Sequence, residues 1–82
     1  MPHVVAACSS CRAFTGDLTE FEVEGGAVRD LIRELDRRFP GFGDHIERRM
    51  AIAIDGEIHQ DALFAPVGAE SEVYLIPRIG GG

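Results

Sequence analysis

One stretch of helical periodicity lies in the middle of a chain that otherwise has the pattern of strands, and it limits the possible folds more than any other feature. Between residues 28 and 39, apolar side chains recur at the spacing of one face of an amphipathic helix. These side chains are Val28, Leu31, Ile32, Leu35 and Phe39. Pro40 and Gly41 then end the helix, because proline disfavours the helical conformation of the residue before it. A single helix with one apolar face needs a sheet to cover, which predicts an α+β fold.

Two strands are predicted before this helix. Residues 3–7 form a short apolar run, and residues 19–24 alternate strictly between core-type and acidic side chains. A loop over residues 9–17, which ends in a turn, joins the two runs, so they are expected to pair as a hairpin. The glutamates of the second strand should form one wet, acidic face.

Three strands are predicted after the helix. A short helical turn over residues 46–49 leads into residues 50–54, which alternate bulky and small side chains. Asp55 and Gly56 form a strong hairpin signal, and residues 57–59 make the return strand. Residues 73–76 form the last strand. The order is β-β-α-β-β-β, and the strand after the helix is expected to run parallel to an earlier one.

Size and charge exclude several classes of protein. The chain has 82 residues, enough for one small domain, and its net charge is −6. An acidic balance argues against a nucleic-acid partner. No apolar run approaches the roughly 20 residues of a membrane span, and the first residues lack the basic start of a secretory signal. We therefore expect a cytoplasmic protein that binds neither nucleic acid nor a membrane.

Cys8 and Cys11 form a single C-x-x-C motif. A structural zinc site needs four ligands, and the three histidines lie at no recognisable spacing from the cysteines, so no metal site is predicted. A thioredoxin-like redox site would need a long helix directly after the motif, where a turn is expected instead. We interpret the cysteines as two ordinary thiols in a loop, with a redox or metal role as the alternative.

The last predicted strand is apolar on both faces. Val73 and Leu75 point to one side, and Tyr74 and Ile76 point to the other. One helix covers only one face of a sheet, so the second apolar face predicts a docking surface. The alternative is that loops cover it.

The chain ends in Gly80, Gly81 and Gly82. Pro77 ends strand pairing, and successive glycines do not pack, so a flexible tail is expected after the domain. Such a tail can enter a narrow channel and present its α-carboxylate to another enzyme. The chain has no G-x-x-x-x-G-K-[ST] phosphate loop, so a partner would have to activate that carboxylate. The alternatives are a linker remnant or a frayed end.

With these features the chain resembles the MoaD/ThiS family of ubiquitin-like sulfur carriers, and most of all the MoaD type, the small subunit of molybdopterin synthase. The resemblance rests on Asp55 to Glu57, on Pro66 and Val67, on Ser71 to Pro77 and on the terminal glycines. The helix and the segment from Arg12 to Gly16 also match. The C-x-x-C motif is not a feature of the family.

The resemblance implies a β-grasp domain over residues 1–77, with a mixed four- to five-stranded sheet on one main helix, and a flexible tail over residues 78–82. It implies a carrier without an active site or bound cofactor of its own. A ubiquitin-activating-type enzyme would use MgATP to adenylate the carboxylate of Gly82. A persulfide donor would convert the adenylate into a thiocarboxylate, and an acceptor enzyme such as the molybdopterin synthase large subunit would take the sulfur. The expected partner-binding residues are Phe64, Tyr74, Ile76, Pro77, Arg78, Ile79, Gly80 and Gly81.

Four other functions are compatible with the same residues. The sulfur could serve thiamin thiazole or cysteine synthesis. The chain could be a protein modifier, although it has no lysine on which to form side-chain-linked chains of itself. It could also be a noncatalytic ubiquitin-like interaction domain.

Overall fold

Five strands form one mixed sheet in the computed structural model, which describes residues 1–59 and 63–78. Their bounds are His3–Val5 (β1), Glu20–Glu22 (β2), Met50–Ile54 (β3), Glu57–His59 (β4) and Glu72–Pro77 (β5). The order across the sheet is β2-β1-β5-β3-β4. β1 and β5 are parallel, and the other neighbours are antiparallel. β3 therefore runs in the same direction as β2, as predicted, although the two strands are not neighbours.

Helices cover one face of this sheet. A 3-10 turn at Ser9–Cys11 leads into the short helix α1 (Arg12–Thr15), and two longer helices follow, α2 (Val28–Arg38) and α3 (Phe42–Arg49). The apolar side chains of α2 are buried against alternate residues of the strands, as the periodicity predicts. The core joins Leu31 and Leu35 of α2 to Val4 of β1 and Val73 of β5. The predicted β-grasp fold is confirmed.

Contacts between α2 and its surroundings fix the start of this helix. The backbone N–H groups of a first helical turn lack partners within the helix. Here Val28 N donates to Ala65 O at 3.0 Å, and Arg29 N donates to Leu63 O at 2.8 Å. The Asp30 carboxylate accepts from the Ala27 amide at 3.1 Å. The loop at residues 63–65 is thereby tied to the helix.

Helix occurs in the predicted loop over residues 9–17 and also before the predicted helical turn of residues 46–49. Residues 9–17 form the 3-10 turn and α1, and α3 begins at Phe42, before the predicted start at residue 46. The start of α3 depends on a side chain from α2, because Asp36 Oδ1 accepts from Gly41 N at 3.1 Å and from Gly43 N at 3.0 Å. Gly41 has a φ of 94°, which glycine adopts without strain. The acceptor, Asp36, lies five residues before the N-cap residue Gly41 and not at the N-cap itself, which explains why the sequence pattern missed this cap.

The predicted hairpin turn between β3 and β4 is confirmed. Asp55 has a φ of 48° and Gly56 a φ of 89°, as a tight turn requires. Asp55 also extends the pairing of β3 with β5, because Glu72 N donates to its carboxylate at 2.9 Å. Among the described residues, no helix has the length and apolar character needed to cross a membrane.

Candidate functional site

The end of β5 is held firmly to the end of α3. Pro77 is paired with Met50 in the last rung between β5 and β3. The amide of Arg78 then donates to Arg49 O at 3.1 Å. Its guanidinium donates to Met50 O at 3.2 Å and to Glu47 O at 3.3 Å. A cation is well suited to this position, because the last carbonyl groups of a helix lack partners and carry partial negative charge.

These contacts define a fixed root for the tail. Pro77 and Arg78, two of the predicted partner-binding residues, are exposed and lie at this root. The predicted site residues Ile79, Gly80, Gly81 and Gly82 lie outside the described residues.

The face of the sheet opposite the helices carries an apolar row beside this root. Strand pairing aligns Val5, Tyr74, Ala53 and Ile58 across four strands. Tyr74 is 44% exposed and Ile58 is 62% exposed. Ile76, half-buried and paired with Ala51, continues the apolar surface toward Pro77. We call Val5, Ala53, Ile58, Tyr74 and Ile76 the open face.

The acidic strand borders the open face. Glu20 is paired with Val5, and its carboxylate lies 2.7 Å from His3 Nε2. Glu20 and Glu22 are exposed while Phe21 is buried, as the alternation predicts. One edge of the open face is therefore negatively charged.

Phe64 lies away from the open face, although the sequence grouped it with Tyr74 and Ile76. Its ring is 74% exposed and contacts the guanidinium of Arg29 on α2, 5.7 Å from the ring centre. It borders a cleft of about 460 Å³ between α2, α3 and residues 63–64. The structure thus separates the predicted docking residues onto two sides of the domain.

Sequence reasoning missed Val5, Ala53 and Ile58 as members of the open face. Each is an ordinary strand residue, and only the strand order brings them beside Tyr74. The predicted alternation of residues 50–54 was a sequence signal for this surface, because it placed two small alanines on the face opposite the core.

Ion pairs on the helices account for the strongest pKa shift. Glu34 accepts from Arg37 at 2.6 Å and from Arg38 at 3.0 Å. The hydrogen bond from Arg37, followed by that from Arg38, lowers the pKa of Glu34 to about 2. The same pair raises the pKa of Arg37. These side chains lie on the outer surface of α2, as the predicted solvated face of an amphipathic helix requires.

Cys8 and Cys11 form a disulfide, which corrects the prediction of two ordinary thiols. Cys11 is fully buried, and Cys8 is partly exposed. Three residues of separation in a 3-10 turn bring their Cα atoms to 5.4 Å, an ordinary distance for a disulfide. The signal for this pairing was the C-x-x-C spacing itself. Across residues 1–59 and 63–78, no group of three His, Cys, Asp or Glu side chains could hold a metal ion.

Comparison with known structures supports the fold. Over its full length the chain superposes on a chain of the Amycolatopsis orientalis BexX/CysO complex, with a TM-score of 0.83, 20% identity and 100% of that chain covered. Mycobacterium tuberculosis CysO, described as an antigen, matches with a TM-score of 0.83 at 16% identity, over 96% of this chain and 100% of the other.

An archaeal protein has the same architecture. Small archaeal modifier protein 1 from Methanosarcina acetivorans gives a TM-score of 0.78 at 18% identity, over 99% of this chain and 95% of the other. No curated protein matches the sequence.

The sequence itself matches one family model, that of the ThiS family, over residues 9–82. This match covers the helices, four of the five strands, the open face residues after β1 and the glycine tail. The chain therefore belongs to the ThiS family, whose members are small ubiquitin-like sulfur carriers without a catalytic site of their own.

Proposed function

We propose that this carrier holds its sulfur as a thiocarboxylate on Gly82 and delivers it to an acceptor enzyme. A carboxylate is a poor acyl donor because oxide is a poor leaving group. A partner enzyme of the ubiquitin-activating type therefore joins the carboxylate to AMP at the expense of MgATP. A persulfide R′–S–S⁻ displaces AMP and forms an acyl disulfide. Two electrons from a dithiol reductant then cleave its S–S bond, which releases R′–S⁻ and leaves sulfur in place of one carboxylate oxygen.

The observation that carries this proposal is the fixed root of the tail. Arg78 is bonded to the carbonyl groups of Arg49, Met50 and Glu47, and only four residues follow it in the sequence. A tail that must enter a partner's active site benefits from a rigid base, because the base sets how far the tip reaches. Three of the four residues are glycines, which fit a narrow channel since they have no β-carbon.

The open face is the proposed docking surface for these partners. Tyr74 and Ile58 are large, exposed apolar side chains on a rigid sheet. Aromatic residues of this kind are enriched among residues that dominate binding energy. A partner bound to the open face would lie beside Pro77 and Arg78, where it could take up the tail.

For the acceptor we propose the large subunit of molybdopterin synthase. The support is the resemblance of Asp55 to Glu57 and of Ser71 to Pro77 to the MoaD type. Enzymes of cysteine synthesis and of thiamin thiazole synthesis are the alternatives. All three acceptors require the same thiocarboxylate on the tail. They are therefore distinguished by the transfer of sulfur to the acceptor and not by the formation of the thiocarboxylate.

The experiment begins with the full chain, MgATP, the adenylating enzyme, a persulfide donor and dithiothreitol as the reductant, and the chain treated with dithiothreitol alone is the mass reference. The expected product is heavier by about 16 Da, since sulfur replaces oxygen. A variant lacking Gly81 and Gly82 is the control, and it should gain nothing. The thiocarboxylated protein is then incubated with each acceptor enzyme separately, and transfer of sulfur to the acceptor is measured. An unchanged mass with an active adenylating enzyme would overturn the proposal.

A second candidate is a ubiquitin-like modifier, favoured by the likeness of the fold to small archaeal modifier protein 1. The same adenylate would then be attacked by a lysine of another protein. Its product is an isopeptide-linked conjugate, which denaturing electrophoresis detects. Conjugates in the absence of any thiocarboxylate would favour this candidate over the carrier.

A further inference from the structure

The Cys8–Cys11 disulfide is a feature that the carrier function does not use. The two sulfurs differ in environment, because Cys11 is fully buried and Cys8 is partly exposed. In a reduced pair, an exposed thiolate can attack a substrate and a buried neighbour can then resolve the product. This asymmetry is the first requirement of a redox-active dithiol.

A polar chain leads from Cys8 to a histidine. Ser10 Oγ lies 3.4 Å from Cys8 Sγ and 3.2 Å from His45 Nε2. The imidazole is held in place by the rings of Phe14 and Phe42, at 5.1 and 6.5 Å between ring centres. When the pair is reduced, the Ser10 hydroxyl can pass the Cys8 proton to His45.

The pair also lies next to the root of the tail. Cys11 Sγ is 3.7 Å from Met50 Sδ. Met50 is paired with Pro77, and its carbonyl accepts from Arg78. The Met50 side chain therefore connects the disulfide to β3, and β5 is the neighbouring strand, about 5 Å away. At roughly 3.4 Å per residue, the four residues that follow Arg78 span at most about 14 Å, so a reaction between the tail and Cys8 requires the root to lie within that distance of Cys8.

The proposed formation of the thiocarboxylate requires two electrons, which a reduced pair of cysteines can supply. When a persulfide R′–S–S⁻ displaces AMP from the tail, the product is an acyl disulfide, R–CO–S–S–R′. Its cleavage to a thiocarboxylate takes two electrons. A dithiol supplies two electrons when it closes to a disulfide.

We propose that Cys8 and Cys11 supply these electrons in cis, and this inference rests on the proposed function. The Cys8 thiolate attacks the sulfur bonded to R′, so the S–S bond breaks and the thiocarboxylate R–COS⁻ leaves. The Cys11 thiolate then attacks Cys8 Sγ and expels R′–S⁻. The two thiol protons pass to solvent or to the released donor thiol. The pair ends as the disulfide that the structure contains, and an external dithiol reductant resets it.

The direction of this exchange follows from leaving-group chemistry. A more acidic thiol leaves faster from a disulfide, and a thiocarboxylic acid is far more acidic than a cysteine thiol. Attack by Cys8 therefore releases the tail sulfur in preference to the reverse reaction. Closure of the ring with Cys11 makes the release complete.

The test compares one protein in two redox states, so no substitution is needed. The chain is reduced or left oxidised, freed of small thiols, and incubated with MgATP, the adenylating enzyme and a sulfurtransferase that carries one persulfide. The reduced chain should form about one thiocarboxylate for each dithiol that closes, with a loss of about 2 Da in the peptide that holds both cysteines. The oxidised chain should accumulate the acyl disulfide with the donor and release thiocarboxylate roughly tenfold more slowly.

A Cys8→Ser variant, reduced beforehand, should behave like the oxidised chain. Its folding is checked by thermal unfolding, and Ser9→Ala at an adjacent exposed position serves as the matched control. Equal release from reduced and oxidised chains would overturn the inference. In that case, conversion of the acyl disulfide to thiocarboxylate by added dithiothreitol would still uphold the proposed function. Absence of any tail product, even with dithiothreitol, would instead contradict the proposed function.

Discussion

The guanidinium of Arg78 donates a 3.2 Å hydrogen bond to the carbonyl of Met50, the first residue of the neighbouring strand. This bond joins the last described residue of the chain to the junction of α3 and β3. The same Met50 contacts Cys11 through its sulfur. One junction thus links the core, the root of the tail and the disulfide, and most of the predictions below depend on it.

Replacing Arg78 with alanine should loosen the root of the tail. The variant loses guanidinium hydrogen bonds to Met50 and Glu47, and we expect the free energy of unfolding to fall by about 1 kcal/mol. Adenylation of the tail should also become slower, by more than this loss of stability explains. The rate of adenylate formation checks this, with Arg33→Ala on the exposed surface of α2 as the control. Equal rates for the two variants would contradict a role for the root.

Tyr74→Glu and Phe64→Glu form a matched pair of substitutions. Both remove an exposed aromatic ring, one from the open face and one from the helical side. We expect Tyr74→Glu to weaken binding of the adenylating enzyme on the order of tenfold or more, since aromatic side chains at interface centres dominate binding. Phe64→Glu should bind almost normally. Titration calorimetry measures the affinity of each variant for the adenylating enzyme. If Phe64→Glu binds more weakly than Tyr74→Glu, the docking surface is the cleft beside α2 and not the open face.

Gly43→Ala should destabilise the packing of α3 on α2. A β-carbon at position 43 would lie 2.8 Å from the β-carbon of Asp36 and would disturb the cap that this side chain provides. We expect a loss of roughly 1–3 kcal/mol in the free energy of unfolding, as for other overpacked sites. Gly26→Ala is the control, because a β-carbon there meets nothing within 4 Å. Urea denaturation of both variants measures the difference, and equal midpoints would contradict the close approach.

Stability should depend on the ionisation of Glu34. Arg37 and Arg38 lower its pKa from 4.5 to about 2 in the folded chain, so the folded state binds the proton less readily than the unfolded state. The stabilisation from this pair is fully present above pH 4.5 and is lost as the pH falls toward 2. The stability difference between wild type and Glu34→Gln should therefore be constant near neutral pH and shrink in that acid range.

Urea unfolding at several pH values measures this difference. The control is the same comparison in a background carrying Arg37→Gln and Arg38→Gln, where the pH dependence should vanish. If the dependence persists without the arginines, they are not its cause.

Local patterns were sufficient to predict most of the fold. The spacing of Val28 to Phe39 predicted α2, and Asp55 with Gly56 predicted the turn between β3 and β4. These features depend on residues close together in the sequence. The start of α3 could not be predicted in this way, because its cap is the side chain of Asp36, which belongs to another helix.

The candidate site was predicted only in part, for a similar reason. Tyr74 and Ile76 were expected on an open apolar face from alternation within β5 alone. The placement of Val5 and Ile58 beside them depends on a strand order that alternation does not determine. The grouping of Phe64 with Tyr74 was wrong in position, because an apolar residue in a loop carries no information about which side of the sheet it will occupy.

The carrier function is tested most directly on the tail peptide. The chain has no lysine, and Arg78 is its last arginine, so trypsin releases residues 79–82 as one small peptide. After incubation of the chain with MgATP, the adenylating enzyme, a persulfide donor and dithiothreitol, mass spectrometry of that peptide should show a gain of about 16 Da, with no other peptide gaining about 16 Da. An unmodified tail peptide, or a sulfur found elsewhere in the chain, would contradict the proposal that Gly82 carries the sulfur.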